Sequence, residues 1–236
     1  MRGILKLVKQ AILDYSMLQN NDRVLIAVSG GKDSMLLTHI LLLLKKYIKL
    51  DFELCAFILD NGFANTNTAT LIEYCNNLGV PAIAQYTKIS EIIEGPKKNK
   101  YPCSLCSRLR KGIIADYAAK QQFNKIAFGH HLDDAIATFF LNIIYEARLN
   151  IFEPITHLTR KNIFLIRPLI YLTEQQIKSV VTAQKIPVFK NPCPMNNNTK
   201  RASVNKFIEL LAVENPNIRS QFLTAFKNKN QFSMWF

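Results

Sequence analysis

Ser29-Gly30-Gly31-Lys32-Asp33-Ser34 is a stretch whose residue types read together as a receptor for phosphate. A glycine pair leaving a buried strand keeps side chains away from the backbone N–H groups, and a helix starting just beyond adds a dipole that favours an anion. Lys32 supplies a full positive charge, Ser29 and Ser34 supply hydroxyl donors, and Asp33 stands where it can cap the helix or hold a metal ion. This is not the commoner phosphate loop, which needs a glycine where the chain has Ile26, nor the Gly-x-Gly-x-x-Gly fingerprint of dinucleotide sites.

Two further constellations carry chemistry. Gly129-His130-His131-Leu132-Asp133-Asp134 follows an apolar run from Lys125 and opens a second apolar helix. At the carboxyl end of a parallel strand, these side chains share an edge with the glycine loop, so His130, His131, Asp133 and Asp134 could face a nucleotide or its magnesium, with His130 and Asp134 the candidates singled out. Favouring the helix start is the competing role for the two aspartates. The third constellation is Cys103-Ser104-Leu105-Cys106, with Cys193 far along the chain. A Cys-x-x-Cys pair lets both sulfurs reach one ion or cluster, and a third ligand must come from elsewhere. Zinc and a thiol–disulfide pair with lowered pKa are the other readings of the same residues. Cys55 and Cys75 fall within a strand and a helix and read as small core residues.

Positioning these groups requires a parallel sheet. Strands are expected at residues 23–28, 53–59, 82–86, 125–129 and 163–166, with helical patterns at 33–47, 68–78, 105–121 and 132–147 between them. That alternation implies a Rossmann-like α/β fold with five parallel strands and helices on both faces. Residues 1–20 read as an N-terminal helix whose apolar face is free to meet a second copy. Residues 21–186 read as the nucleotide-binding domain, and 187–236 as a proline-rich loop with two small helices. Nothing between Met35 and Leu44 is long enough to span a membrane, and no export signal is evident, so a cytoplasmic protein with reduced thiols is expected.

The net charge of +13 is concentrated, with Lys97, Lys98, Lys100, Arg108, Arg110 and Lys111 crowding one region without an intervening acid. Such a surface suits a polyanion, since each neutralised phosphate releases counterions and adds affinity. A lysine-rich surface without a partner is the alternative.

Ser-Gly-Gly-Lys-Asp-Ser after a first strand resembles the PP-loop of the N-type ATP pyrophosphatases. Joined by Cys-Ser-Leu-Cys-Ser-Arg-Leu-Arg-Lys-Gly, Gly-His-His-Leu-Asp-Asp and Leu-Ile-Arg-Pro-Leu, in that order, it resembles the tRNA 2-thiocytidine synthetase family from about Asp22 to about Arg201. The resemblance implies that ATP, with Mg2+, adenylylates O2 of a cytidine in the anticodon loop and that sulfur then displaces AMP. It also implies that Cys103, Cys106 and Cys193 bind a 4Fe-4S cluster, that Lys32 and Asp33 serve catalysis, and that a cysteine-desulfurase-type donor supplies sulfur. Arg108, Arg110, Lys111, Lys200 and Arg201 are the candidates for holding the tRNA backbone. The chain departs from the family pattern at Met195-Asn196-Asn197, where a further cysteine is common, and over Asn61 to Thr70. Thiolation of a tRNA uridine, ligation of an amine as in lysidine formation, and a zinc-stabilised RNA-binding module are the alternatives.

Overall fold

The computed structural model of the chain describes residues 1–48, 50–95, 102–190, 192–193 and 200–228. Lys97, Lys98 and Lys100 of the basic region lie outside the described residues, as do Met195, Asn196 and Asn197. The chain runs α1 (Arg2–Asp14), β1 (Asp22–Val28), α2 (Lys32–Tyr47), β2 (Phe52–Asp60), α3 (Thr68–Leu78), β3 (Ala82–Tyr86), α4 (Ile89–Glu94), α5 (Pro102–Lys120) and β4 (Lys125–Ala127). It continues through α6 (Leu132–Glu146), β5 (Ile155–Leu158), β6 (Ile163–Ile166), α7 (Glu174–Ala183), α8 (Lys200–Glu214) and α9 (Ile218–Lys227).

The sheet has six strands in the order β3-β2-β1-β4-β6-β5, one more than the five expected. The additional strand, β5, lies antiparallel on β6 with Ile155 opposite Ile166, and the other neighbours are parallel. A hairpin turn makes this possible, with Asn162 at φ 50 reversing the chain between them. Four residues with mixed polarity carry too little alternation to announce a strand by themselves.

Alternation along the central strands sorts the core into two layers. Val24, Ile26 and Val28 of β1 join Phe52, Leu54, Ala56 and Ile58 of β2 in a core shared with α1, α2, α3 and α7. Leu25, Cys55 and Phe57 face the other way, onto Ile114, Ala115 and Ala118 of α5. Both faces are therefore covered, which is why β1 and β2 read as unbroken apolar runs. The apolar face of α1 is not free for a second copy: Ile4, Val8, Ala11 and Ile12 are all buried in the main core. Their i, i+4, i+7, i+8 spacing forms one stripe, and the sheet layer is the large apolar surface within its reach. At the far end, α8 and α9 pack on α6 through Ile136, Val204, Ile208 and a group of phenylalanines.

The amino-terminal edge of the sheet is held by a buried ion pair. Lys125 Nζ lies 3.2 Å from Asp22 Oδ2 and donates to the Met17 carbonyl at 2.9 Å, with both side chains nearly inaccessible. The opposite, carboxyl-terminal edge is where β1 and β4 send their connections to opposite sides, the position at which open α/β sheets bind ligands.

Candidate active site

The glycine loop leaves β1 and starts α2 without a side-chain cap on that helix, so its first N–H groups keep their anion-binding capacity. Gly30 has φ +80, a conformation that excludes most side chains, and its carbonyl accepts from the Phe189 N–H at 2.9 Å. A Cβ on Gly30 would lie 3.0 Å from Phe189 Cβ and 3.3 Å from Leu71 Cδ1, so the segment before Cys193 rests directly on the loop. Inside the loop, Ser34 Oγ accepts from the Ser29 N–H at 3.1 Å and donates to the Gly31 carbonyl at 3.0 Å, fixing the turn.

Lys32 is half-buried, 3.1 Å from Asp33 Oδ1 and 3.2 Å from Glu174 Oε1. Burial opposes its charge, but Asp33 and Glu174 more than offset that and hold its pKa above the ordinary lysine value. Glu174 is a functional candidate to which the sequence reading gave no role. The available signal was the Thr173-x-x-Gln176 capping box, which marks the start of α7 but says nothing of what lies across from it.

β4 ends against this loop. A Cβ on Gly129 would stand 2.9 Å from the Asp33 carbonyl carbon and 3.1 Å from the Ser34 nitrogen, so only glycine allows the two motifs to touch. His131 is buried beside them, its Nε2 3.7 Å from Asp33 Oδ1 and 3.4 Å from Asp134 Oδ2. Asp134 accepts from the His131 N–H at 3.1 Å and from Arg201 Nη1 at 2.9 Å, so it caps α6 and ties α8 to it. Asp133 is nearly inaccessible, accepting from the Glu174 N–H at 2.7 Å and from Arg219 Nε at 2.6 Å. His130 points elsewhere: its ring lies between Phe128 and Phe152, at centroid distances of 5.6 and 5.2 Å. Thus the second histidine rather than the first adjoins the glycine loop.

The thiols stand at the same edge. Cys103, Cys106 and Arg110 fall at i, i+3 and i+7 of α5 and so line one stripe of that helix. Arg110 enters a pocket with Ser29, Asp60, Asn61, Phe189 and Pro192, the residue before Cys193. Burial pushes the Cys106 thiol up, Arg110 pulls it down, and both Cys193 and Cys103 lie near enough to push it up further. Among the described residues, no three His, Cys, Asp or Glu side chains converge as ligands of one ion. Cys55 and Cys75 are buried in the core, where burial raises both thiols and takes Cys75 to about 11, as expected of inert packing residues. Asp60 closes the other wall: hydrogen bonds from Thr68, the Gly62 N–H and Thr66 outweigh burial and hold its carboxyl below the ordinary range.

The basic candidates divide. Arg108 and Lys111 on α5 are exposed, Lys200 places its Nζ 3.6 Å from the Tyr145 ring centroid, and Arg201 is engaged with Asp134. Arg110 faces the pocket rather than open solvent. Arg167, part of Leu-Ile-Arg-Pro-Leu but given no role by the sequence, follows β6 and is almost wholly buried. Its Nη1 donates to the Glu153 carbonyl and to Thr156 Oγ1, and its guanidinium lies 4.9 Å from the Phe152 centroid. Burial draws its pKa down to about 10 against the pull of Glu153, which leaves it charged at neutral pH.

Buried polar atoms normally find partners, because an unmade hydrogen bond in a protein interior costs about 1–3 kcal/mol. Seven side-chain atoms among the described residues lack one: Asp33 Oδ1, Asn61 Oδ1, Arg110 Nε, His130 Nδ1, His131 Nδ1, Arg167 Nε and Asn205 Oδ1. All but Asn205 belong to this one edge, at or facing the carboxyl ends of β1, β2, β4 and β6.

Comparison with known proteins gives the family and the fold. The PP-loop domain family matches residues 2–210. A tRNA-cytidine(32) 2-sulfurtransferase of Legionella pneumophila is 37% identical over 229 residues, spanning 96% of this chain and 81% of that protein. One from Coxiella burnetii is 36% identical over 96% of this chain and 90% of its own length, and one from Xylella fastidiosa 35% over 94% and 75%. Among solved structures, the U34-tRNA thiolase NcsA from Methanococcus maripaludis, with its 4Fe-4S cluster, superposes with a TM-score of 0.75 at 21% identity over 95% of this chain and 78% of that one. The NH3-dependent NAD synthetase of Campylobacter jejuni shares the fold more distantly, with a TM-score of 0.52 at 16% identity over 99% and 98% of the two chains. No helix among the described residues is long and apolar enough to cross a membrane. With a PP-loop placed as an ATP site and relatives this similar along nearly all its length, the chain belongs to the tRNA-cytidine(32) 2-sulfurtransferase family of PP-loop enzymes.

Proposed function

We propose that this enzyme adenylylates the C2 carbonyl oxygen of cytidine 32 in tRNA and replaces that oxygen with sulfur, using ATP, Mg2+ and a 4Fe-4S cluster. The observation that carries the reading is the pocket in which Arg110, from the thiol-bearing stripe of α5, faces Ser29 of the PP-loop and Pro192 beside Cys193. In the first half-reaction a lone pair of O2 forms a bond to the α-phosphorus of ATP and the bond to pyrophosphate breaks. The N–H groups at the start of α2 and the Lys32 ammonium stabilise the charge that develops on the departing pyrophosphate. Asp33, with its Oδ1 lacking a directed hydrogen bond, is the carboxylate that suits magnesium, which takes oxygen ligands and shares them with substrate phosphates. In the second half-reaction sulfur at the sulfide level adds to C2 and AMP leaves, with no net oxidation or reduction. The sulfur comes as a persulfide from a donor of the cysteine-desulfurase type, and a dithiol reductant supplies the two electrons that release it at the sulfide level.

Cys103, Cys106 and Cys193 suit a cluster better than zinc. These three thiolates would hold a cluster of the kind that the structurally similar NcsA carries. Cys103 and Cys193 both lie near enough to Cys106 to raise its thiol pKa, after the larger effect of burial. A cluster held by Cys103, Cys106 and Cys193 would supply an iron site at which sulfur could be carried. Arg110, between Cys106 and the nucleotide pocket, holds positive charge where sulfur and adenylate must meet. Mass analysis of nucleosides in tRNA from cells lacking the protein tests the whole reading: 2-thiocytidine should disappear. Loss of a thiolated uridine or of lysidine instead would refute it.

A further inference from the structure

Three cations act electrostatically on His130, on the β4–β6 side of the PP-loop, and Arg167 shares the Phe152 ring with it. They come from separate elements: Lys111 from α5, Arg167 from the turn after β6, and Arg201 from α8. Each acts on the His130 ring, and Arg167 and Arg201 also act on Lys111, lowering its pKa after the effect of partial burial. Phe152 forms a common floor, 5.2 Å from the His130 centroid and 4.9 Å from the Arg167 guanidinium.

Compensation from the protein is incomplete. Arg201 has Asp134 at 2.9 Å, whereas Lys111 and Arg167 have no carboxylate within 4 Å among the described residues, and Glu153 reaches Arg167 only through space. Arg167 Nε and His130 Nδ1 are buried without partners. Like charges brought together at this cost, beside two unfilled hydrogen-bonding positions, describe a receptor for an anion that arrives with a ligand.

We infer that Lys111, Arg167, Arg201 and His130 form a receptor for one phosphodiester of the RNA strand, docking the backbone so that the target base turns toward the PP-loop. The inference rests on the RNA substrate proposed above. Exposed Lys111 makes the direct contact, and buried Arg167 supplies field from beneath. Neutral His130 offers its unpartnered Nδ1 for a hydrogen bond without adding charge. The partly buried rings of Phe128 and Phe152 offer an apolar wall of the kind against which unstacked RNA bases rest.

The test measures tRNA affinity of the whole protein between 50 and 200 mM KCl, for wild type, Lys111→Gln, His130→Phe and Lys45→Gln. Lys45 lies at the opposite edge of the sheet and serves as the control. Lys111→Gln is expected to weaken binding severalfold and to reduce the slope of log K against log salt by about 0.7–0.9, the share of one phosphate contact. His130→Phe should weaken binding with the slope unchanged, while Lys45→Gln and the KM for ATP stay at wild-type values. Wild-type affinity and slope in Lys111→Gln would overturn the inference alone. An altered KM for ATP with normal tRNA binding would give the cluster to the nucleotide and overturn it as well. A wild-type protein unable to bind tRNA would overturn the RNA reading and this inference together.

Discussion

Replacing Gly129 with alanine drives a Cβ to 2.9 Å from the Asp33 carbonyl carbon, 3.1 Å from its oxygen and 3.1 Å from the Ser34 nitrogen. These are backbone atoms at the start of α2, with no flexible side chain to swing aside, so the two loops must part by about half an ångström to reach ordinary contact. Overpacking of this kind costs about 1–3 kcal/mol, which lowers the melting temperature by roughly 2–10 °C in a chain of this size. Because a misplacement of ~1 Å costs about 100-fold in rate, half of that predicts a loss of about tenfold in tRNA-dependent pyrophosphate release. Gly112→Ala is the matched control. A Cβ there meets nothing within 4 Å, and alanine inside α5 should leave the rate unchanged and stabilise the helix by about 0.5–1 kcal/mol. Calorimetry and a coupled pyrophosphate assay read both variants. Should Gly129→Ala keep full activity and an unchanged melting temperature, the claimed contact between the two motifs is wrong.

Asp22→Ala strands the buried Lys125 ammonium and is expected to cost about 3–5 kcal/mol in denaturant titrations, more than any exposed Asp→Ala change. His130→Phe should remove a pH dependence. Burial holds the folded pKa of His130 at about 4, below the ordinary 6.5, with Asp134 opposing and Arg167, Lys111 and Arg201 reinforcing the shift. The unfolded chain therefore takes up a proton that the folded one refuses as pH falls from 6.5 to 4. The wild type should lose roughly 3 kcal/mol across that window relative to the variant, and equal pH profiles in urea would contradict the assigned burial. Cys193→Ala should abolish 2-thiocytidine formation and iron absorption in anaerobic protein while tRNA-dependent pyrophosphate release persists. Lys32→Met should reduce that release about 100–1000-fold with tRNA binding intact, as for loss of a donor aimed at developing charge.

The parts of the site that the sequence made legible are those written in neighbouring residues. Ser29 to Ser34 announces its own turn, and the runs in β1 and β2 announce burial on both faces, so the loop could be set at the mouth of a parallel sheet. What stayed hidden depends on which surfaces meet. His130 and His131 are adjacent in sequence and both precede α6, yet only His131 adjoins Asp33, because Phe128 and Phe152 draw the other ring away. Glu174 and Arg167 lie far along the chain from Lys32 and Lys111, and no periodicity links them. The fate of α1 is similar: its stripe was visible, but whether it met another copy or the chain's own sheet was decided by packing. β5 escaped because four residues gain their strand character only from the hairpin partner beside them.

The bond from the Phe189 N–H to the Gly30 carbonyl has a mechanical meaning. Phe189, four residues before the proposed cluster ligand Cys193, is thus tied directly to the turn proposed to grip the leaving diphosphate. On that reading, a shift of the turn on filling or emptying would be felt within a few backbone bonds by the proposed cluster ligand. Under the proposed function, activation and sulfur delivery would then be coupled through a single backbone hydrogen bond, without a moving domain to relay the signal.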